Sequence, residues 1–104
     1  MKVVVQKSKE ASVLINDKIY NKISSGLVLL VGFTDGDGIE QINYLAKKIV
    51  NLRIFEDENG VMNKSILDVG GEILSISQFT LYADASKGNR PSYINALKGD
   101  LAIN

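Results

Sequence analysis

Ser75 to Asp84 reads SISQFTLYAD and sets hydroxyls and a carboxamide where a strand should place core residues. A period of two puts Leu74, Ile76, Gln78, Thr80 and Tyr82 in one row. Ile73, Ser75, Ser77, Phe79 and Leu81 form the other. Neither row is cleanly apolar or cleanly polar. Ser77, Gln78 and Thr80 carry hydrogen-bonding groups, and such groups at the end of a rigid element suit a pocket that grips a polar ligand. The plainer reading is a strand with one solvated face.

The chemistry open to such a pocket is bounded by composition. The 104 residues include no His and no Cys. That removes imidazole acid–base catalysis, thiol nucleophiles, disulfides and the usual zinc sites. Catalysis is left to carboxylates, Lys, Arg, Tyr, hydroxyls, backbone dipoles or groups on a substrate. Twelve basic and twelve acidic side chains cancel, so a polyanion has to be met by a local patch rather than by overall charge. The N-terminal MKVVVQKSKE holds only three consecutive Val, too few for a signal-peptide core, and no later run approaches a membrane span. The expected location is the cytoplasm, with no membrane partner.

A chain of this length makes one domain or less than one, able to bury roughly 60–70% of its unfolded surface. Lys2 to Lys7, Ala11 to Ile15 and Lys18 to Ile23 read as strands, with Asn16-Asp17 a turn. GLVLLVGF, Gly26 to Phe33, is a continuous apolar run that predicts a strand covered on both faces. TDGDG follows as a loop with Asp37 as helix N-cap. Ile42, Leu45, Ala46, Ile49 and Leu52 then repeat at helical spacing, so Ile39 to Leu52 reads as an amphipathic helix with Lys47 and Lys48 on its wet face. Arg53 to Glu56 reads as a short strand, 57–60 and 68–71 as turns, and Glu72 to Tyr82 as one long strand. Ala83 to Asn89 is a polar loop, and Pro91 opens a predicted second helix through Leu97. The fold class is α+β: a mostly antiparallel, sheet- or barrel-like domain with one long amphipathic helix and a shorter second helix. Leu101 to Asn104 carries no helix stop signal, so a segment in progress is expected there.

Other motifs fall short. GFTDGDGIEQ lies between a strand and a helix, where a dinucleotide fingerprint would sit, but Gln41 replaces the third glycine and two carboxylates would face the phosphates. As a calcium loop it fails at Ile39, which stands where an oxygen ligand is needed. Lys64-Ser65 lacks the glycines of a phosphate-binding loop. Glu56, Asp57 and Glu58 read as a solvated acidic turn.

SQFTLYAD, preceded by NLRIFEDENGVMNKSILDVGGEILSIS and followed by KGNRPSY, resembles the D-aminoacyl-tRNA deacylase family, also called D-tyrosyl-tRNA deacylase. The likeness runs from MKVVVQKSKEASV to the last residue and is strongest in SQFTL, one of the family's two signatures. It implies hydrolysis of the ester between a D-amino acid, or mischarged glycine, and the terminal adenosine of tRNA. It also implies a homodimer with each site near the subunit interface, and neither a metal nor an organic cofactor. Carried over by position, the site is Ser77, Gln78, Phe79 and Thr80. The family's Thr is regarded either as nucleophile or as a positioning group. A Thr hydroxyl needs an adjacent base to attack, and no candidate lies nearby in sequence. Substrate-assisted hydrolysis is therefore the favoured expectation: the ribose 2′-hydroxyl helps activate water, N–H groups of Phe79 and Thr80 hold the oxyanion, and Gln78 and Ser77 orient the adenosine.

Two departures qualify the likeness. The second signature, Asn-x-Gly-Pro-x-Thr, whose Gly-cis-Pro unit rejects L-amino acids in the family, does not occur in these residues, so the expected domain, 1–104, lacks a C-terminal segment. Lys7 stands where the family often has Arg; it keeps the charge but loses the planar fork. For tRNA backbone contacts the candidates are Lys87, Arg90 and Lys7. The alternative is a non-catalytic RNA- or nucleotide-binding module on the same fold.

Overall fold

The computed structural model describes residues 1–99; the expectation about Leu101 to Asn104 lies outside the described residues. Among the described residues, seven strands and two helices are arranged as β1 (Lys2–Ser8), β2 (Ala11–Ile15), β3 (Lys18–Ile23), β4 (Gly26–Gly32), α1 (Ile39–Asn51), β5 (Phe55–Glu56), β6 (Met62–Lys64), α2 (Ile66–Val69) and β7 (Glu72–Ser77). A 3-10 turn, Phe79–Tyr82, follows β7. The class is α+β with antiparallel-rich sheets, as expected. The strands fall into a central sheet of order β1-β4-β7 and two hairpins, β2-β3 and β5-β6.

The apolar run became the middle strand because only a central position can use it. β4 pairs antiparallel with β1, Val3 opposite Val31, and parallel with β7, Val31 opposite Ser77. Its parallel partner requires the long crossover that α1, β5, β6 and α2 provide. On one face Leu27, Leu29 and Val31 are buried against Ile49 of α1 and Ile66 of α2, with Val3, Val5, Phe33 and Leu45 closing the rim. The other face departs from the expectation of full cover: Val28, Leu30 and Ile76 are only half-buried, and Val4, opposite Leu30, is 47% exposed. One chain covers one face of this sheet in full and the other only in part, at Leu74, which is 3% exposed.

Helix ends were less legible than helix faces. Asp37 is not the N-cap of α1. Gly38 holds that position, and the Gln41 side chain accepts from the Gly38 N–H at 2.7 Å. Asp37 instead accepts from the Thr34 N–H at 2.8 Å and pairs with the Met1 ammonium at 2.9 Å, both partners of the pair being nearly buried. The carboxylate is taken up by the ammonium and by the Thr34 N–H, and so does not cap the helix. The turn expected at 68–71 begins instead as α2, capped by a reciprocal box: the Asp68 N–H donates to Ser65 Oγ and the Ser65 N–H to Asp68 Oδ2. Gly70, at φ 65°, then closes the helix in the left-handed region. No helix among the described residues is long and apolar enough to cross a membrane.

The Asp37 pairing carries a pH signature. Burial alone raises its carboxyl pKa, but hydrogen bonds from the Met1 ammonium and the Thr34 N–H, with the ammonium charge, outweigh it and hold the group below 3.8. The unfolded chain therefore takes up this proton at a higher pH than the folded one. Asp37 contributes stability above pH 3.8, and that contribution is lost as pH falls through the lower folded value. Asp37→Asn is expected to lower Tm at neutral pH by about 4–8 °C and to flatten the acid limb of the stability profile. Thermal melts across pH 2.5 to 7, a range of about five units around carboxylate titration, check this. An acid limb unchanged from the parent's would dismiss the pairing as a stabilising contact.

Candidate active site

The strand expected through Tyr82 ends at Ser77. The Gln78 N–H extends the ladder one step, donating to the Val31 carbonyl at 2.7 Å, and the chain then coils into the 3-10 turn. This resolves the mixed rows of SISQFTLYAD: beyond Ser77 a period of two no longer describes which side chains share a face. Gly32 makes room for the change. A Cβ built there would lie 3.1 Å from the Gln78 carbonyl oxygen and 3.1 Å from Leu81 Cβ. Lys2 fastens the far end, its ammonium 4.7 Å from the Tyr82 ring centroid and 3.3 Å from the Leu81 carbonyl it donates to. Burial, and secondarily the Asp37 carboxylate, raises the Tyr82 phenol above its ordinary pKa, so it is neutral at physiological pH.

Within the turn the four motif residues divide. Gln78 and Thr80 are half-buried and pair with each other, the Gln78 carboxamide donating to the Thr80 hydroxyl oxygen. Ser77 and Phe79 face a cleft of about 530 Å³ whose other walls include Tyr93, Ala96, Leu97 and Lys98. The first N–H groups of a helical turn have no partner inside it. Among the described residues, the Phe79 and Thr80 N–H groups have none elsewhere. No carboxylate or amine is bonded to Thr80 among the described residues, and a carboxamide does not accept a proton at neutral pH. Among the described residues the arrangement can bind and polarise, and the one side chain bonded to the Thr80 hydroxyl is not a base.

The cleft's second wall is where sequence reasoning erred. The helix expected from Pro91 to Leu97 does not form. Asp84 and Ser92 exchange two backbone hydrogen bonds of 2.7 Å, and a turn follows from Tyr93. The chain then runs back along the end of β4, where the Leu97 N–H donates to the Phe33 carbonyl at 2.8 Å and the Thr34 hydroxyl to the Asn95 carbonyl. These long-range bonds defeat a helix of two turns that would be marginal by itself. They also bring Tyr93 edge-on to Phe79, ring centroids 5.1 Å apart at 69°. Tyr93 was not among the expected site residues; its one sequence signal is an aromatic isolated in a polar stretch after the motif.

The cationic candidates are not gathered here. Lys87 and Arg90 are exposed in the loop that leaves the 3-10 turn, shaped by the Asp84 carboxylate accepting from the Ser86 N–H at 2.9 Å. Lys7, also exposed, lies opposite Leu27 near the other end of β1. Leu27 is four residues from Val31 along β4, about 13 Å from the Ser77 end of the sheet.

The chain as a whole is similar to known proteins. A solved structure titled "c-Myc DNA Unwinding Element Binding Protein" superposes with a TM-score of 0.91 at 38% identity, covering 99% of this chain and 69% of that one. D-aminoacyl-tRNA deacylase from Bacillus cytotoxicus is 60% identical over 102 residues, which are 98% of this chain and 70% of the relative. The protein of the same name from Parabacteroides distasonis is 56% identical over 103 residues, 99% of this chain and 69% of its own length. The family model described as D-Tyr-tRNA(Tyr) deacylase matches residues 4–104, taking in the strand, the turn and the returning segment that frame the cleft. On that breadth of agreement, the chain belongs to the D-Tyr-tRNA(Tyr) deacylase family.

Proposed function

We propose that this protein hydrolyses D-aminoacyl-tRNA, and glycyl esters of tRNA as well, in the cytoplasm. The observation that carries the reading is the turn after Ser77: two N–H groups with no partner among the described residues, beside a Thr hydroxyl engaged only by a carboxamide, on the rim of a cleft. Water adds to the ester carbonyl, its proton taken up by way of the neighbouring ribose 2′-hydroxyl. The developing oxyanion accepts hydrogen bonds from Phe79 and Thr80 N–H, a contribution of about 3–4 kcal/mol per donor. The carbonyl–O3′ bond then breaks, the proton passes to O3′, and free tRNA and the amino acid leave. Gln78 keeps Thr80 in place, Ser77 hydrogen-bonds the adenosine, and the edge-on Phe79–Tyr93 pair gives the adenine an aromatic wall. Lys87 and Arg90 contact phosphates near the acceptor end, and Lys7 serves the site across a homodimer rather than within one chain. The half-covered sheet face around Val4, Leu30 and Ile76 favours that second copy.

The test is release of amino acid from D-Tyr-tRNA and L-Tyr-tRNA by wild type and Thr80→Ala. Expected is release from the D-ester, with kcat of the variant within about tenfold of wild type, because a positioning group stabilises ground and transition states alike. Loss of several orders of magnitude would establish Thr80 as nucleophile. Binding of tRNA without turnover by wild type would favour the non-catalytic module instead.

A further inference from the structure

α1 turns its apolar residues Leu45 and Ile49 toward the sheet and leaves a different stripe outside. Tyr44, Lys47, Lys48 and Asn51 stand at i, i+3, i+4 and i+7, so they share one face. They line a shallow groove of about 360 Å³. Tyr44 is 69% exposed, so its ring is open to an outside partner beside the two lysines. Asn51 donates to the Lys47 carbonyl at 2.8 Å and so closes the last turn rather than reaching outward. The ion pairs among the described residues, Met1 with Asp37 and Lys64 with Glu58, leave both α1 ammonium groups disengaged. The acid in the first turn of this helix, Glu40, lies one turn before Tyr44 in an adjoining groove that Tyr44 also lines, so the ring separates the acid from the two lysines. In a chain whose charges sum to zero, this is a local concentration of positive charge beside a bare ring.

We infer that the outer face of α1 is an RNA-docking surface, in which Lys47 and Lys48 contact phosphates and Tyr44 stacks on an unpaired base or ribose. The inference rests on the tRNA-ester reading for its choice of RNA, but the surface is separate from the cleft beside Ser77 and Phe79. Two lysines on one helical face track a sugar–phosphate backbone without reading sequence. An aromatic beside them adds base-tolerant stacking. The bland account of the same residues is that lysines in the last turns favour the helix dipole. That account moves stability and not RNA binding.

The experiment measures uncharged tRNA binding to the full chain over a salt series, with ester hydrolysis of charged tRNA and of a 3′-aminoacyl-adenosine run alongside. K47Q/K48Q is expected to reduce the slope of log affinity against log salt by about 1.5. Its KM for charged tRNA should rise while kcat, and hydrolysis of the small ester, stay at the wild-type level. Tyr44→Ala should weaken binding about fivefold or more, and Tyr44→Phe should restore it, since stacking needs only the ring. An unchanged salt slope and KM in K47Q/K48Q overturns the inference, as does a fall in Tm with binding intact. Weakened tRNA binding in the variant, with no ester hydrolysis by wild type, sustains the α1 surface while overturning the catalytic reading.

Discussion

Phe79→Pro is expected to lower kcat by about 10²–10³ while leaving the protein folded. Phe79 is the first residue of the 3-10 turn, where the N–H has no intrahelical acceptor and proline's fixed φ is already suitable. Gln78, which would precede the proline, is extended at φ −145° and ψ 94°, on the side of the map that pre-proline residues prefer. The substitution thus deletes one oxyanion donor with little cost to the turn. It also deletes a ring that lies against Tyr93. Phe79→Ala separates the two losses, because it removes the ring and keeps the amide. If the amide stabilises the transition state, the alanine variant loses mainly KM and the proline variant loses kcat. Equal kcat values for the two, with both folded by circular dichroism, would take Phe79 out of the oxyanion site.

The same turn marks how far the sequence could be read. Residue type and spacing located the strands through Gly32 and the helix from Ile39: β4 is a continuous apolar run and α1 an apolar stripe, and the exposed β2-β3 hairpin is announced by its β-branched runs around Asn16-Asp17. That reading failed after Ser77 because the cause of the turn is elsewhere: Gly32 on a neighbouring strand admits the coil, and Lys2 from the first strand fastens it. It failed again at Pro91, where a good local helix start lost to hydrogen bonds with Phe33 and Thr34, about sixty residues earlier. Asp37 follows the same rule, since the ammonium that claims it lies thirty-six residues away in sequence. The motif residues themselves were legible as chemistry. Their division into a cleft-facing pair, Ser77 and Phe79, and an internally bonded pair, Gln78 and Thr80, was not. Tyr93 was missed because its role depends on a return of the chain that no local pattern encodes.

Gly26→Ala is expected to be the most damaging single methyl in the chain. Gly26 begins β4 at φ 146°, where an L side chain is strained whatever the space around it. The space is also absent: a Cβ would sit 1.9 Å from the Glu72 carbonyl oxygen and 2.6 Å from the Glu72 nitrogen. These are backbone atoms of the paired strand, so no rotamer change relieves the overlap. Relief requires β7 to move off β4 at the Gly26–Glu72 end of a register that carries through to Val31 opposite Ser77. Strain plus a displaced strand pair places the loss above about 4 kcal/mol, a large share of what a domain this size possesses. The variant should unfold with a far lower denaturant midpoint, or fail to accumulate as folded protein. Any folded remainder should show reduced ester hydrolysis, because the turn at Phe79 hangs from the other end of the same strand. A variant with a parental midpoint would mean that β4 and β7 do not approach as closely at Gly26 as this fold requires, and the positioning of the cleft by that strand pair would fall with it.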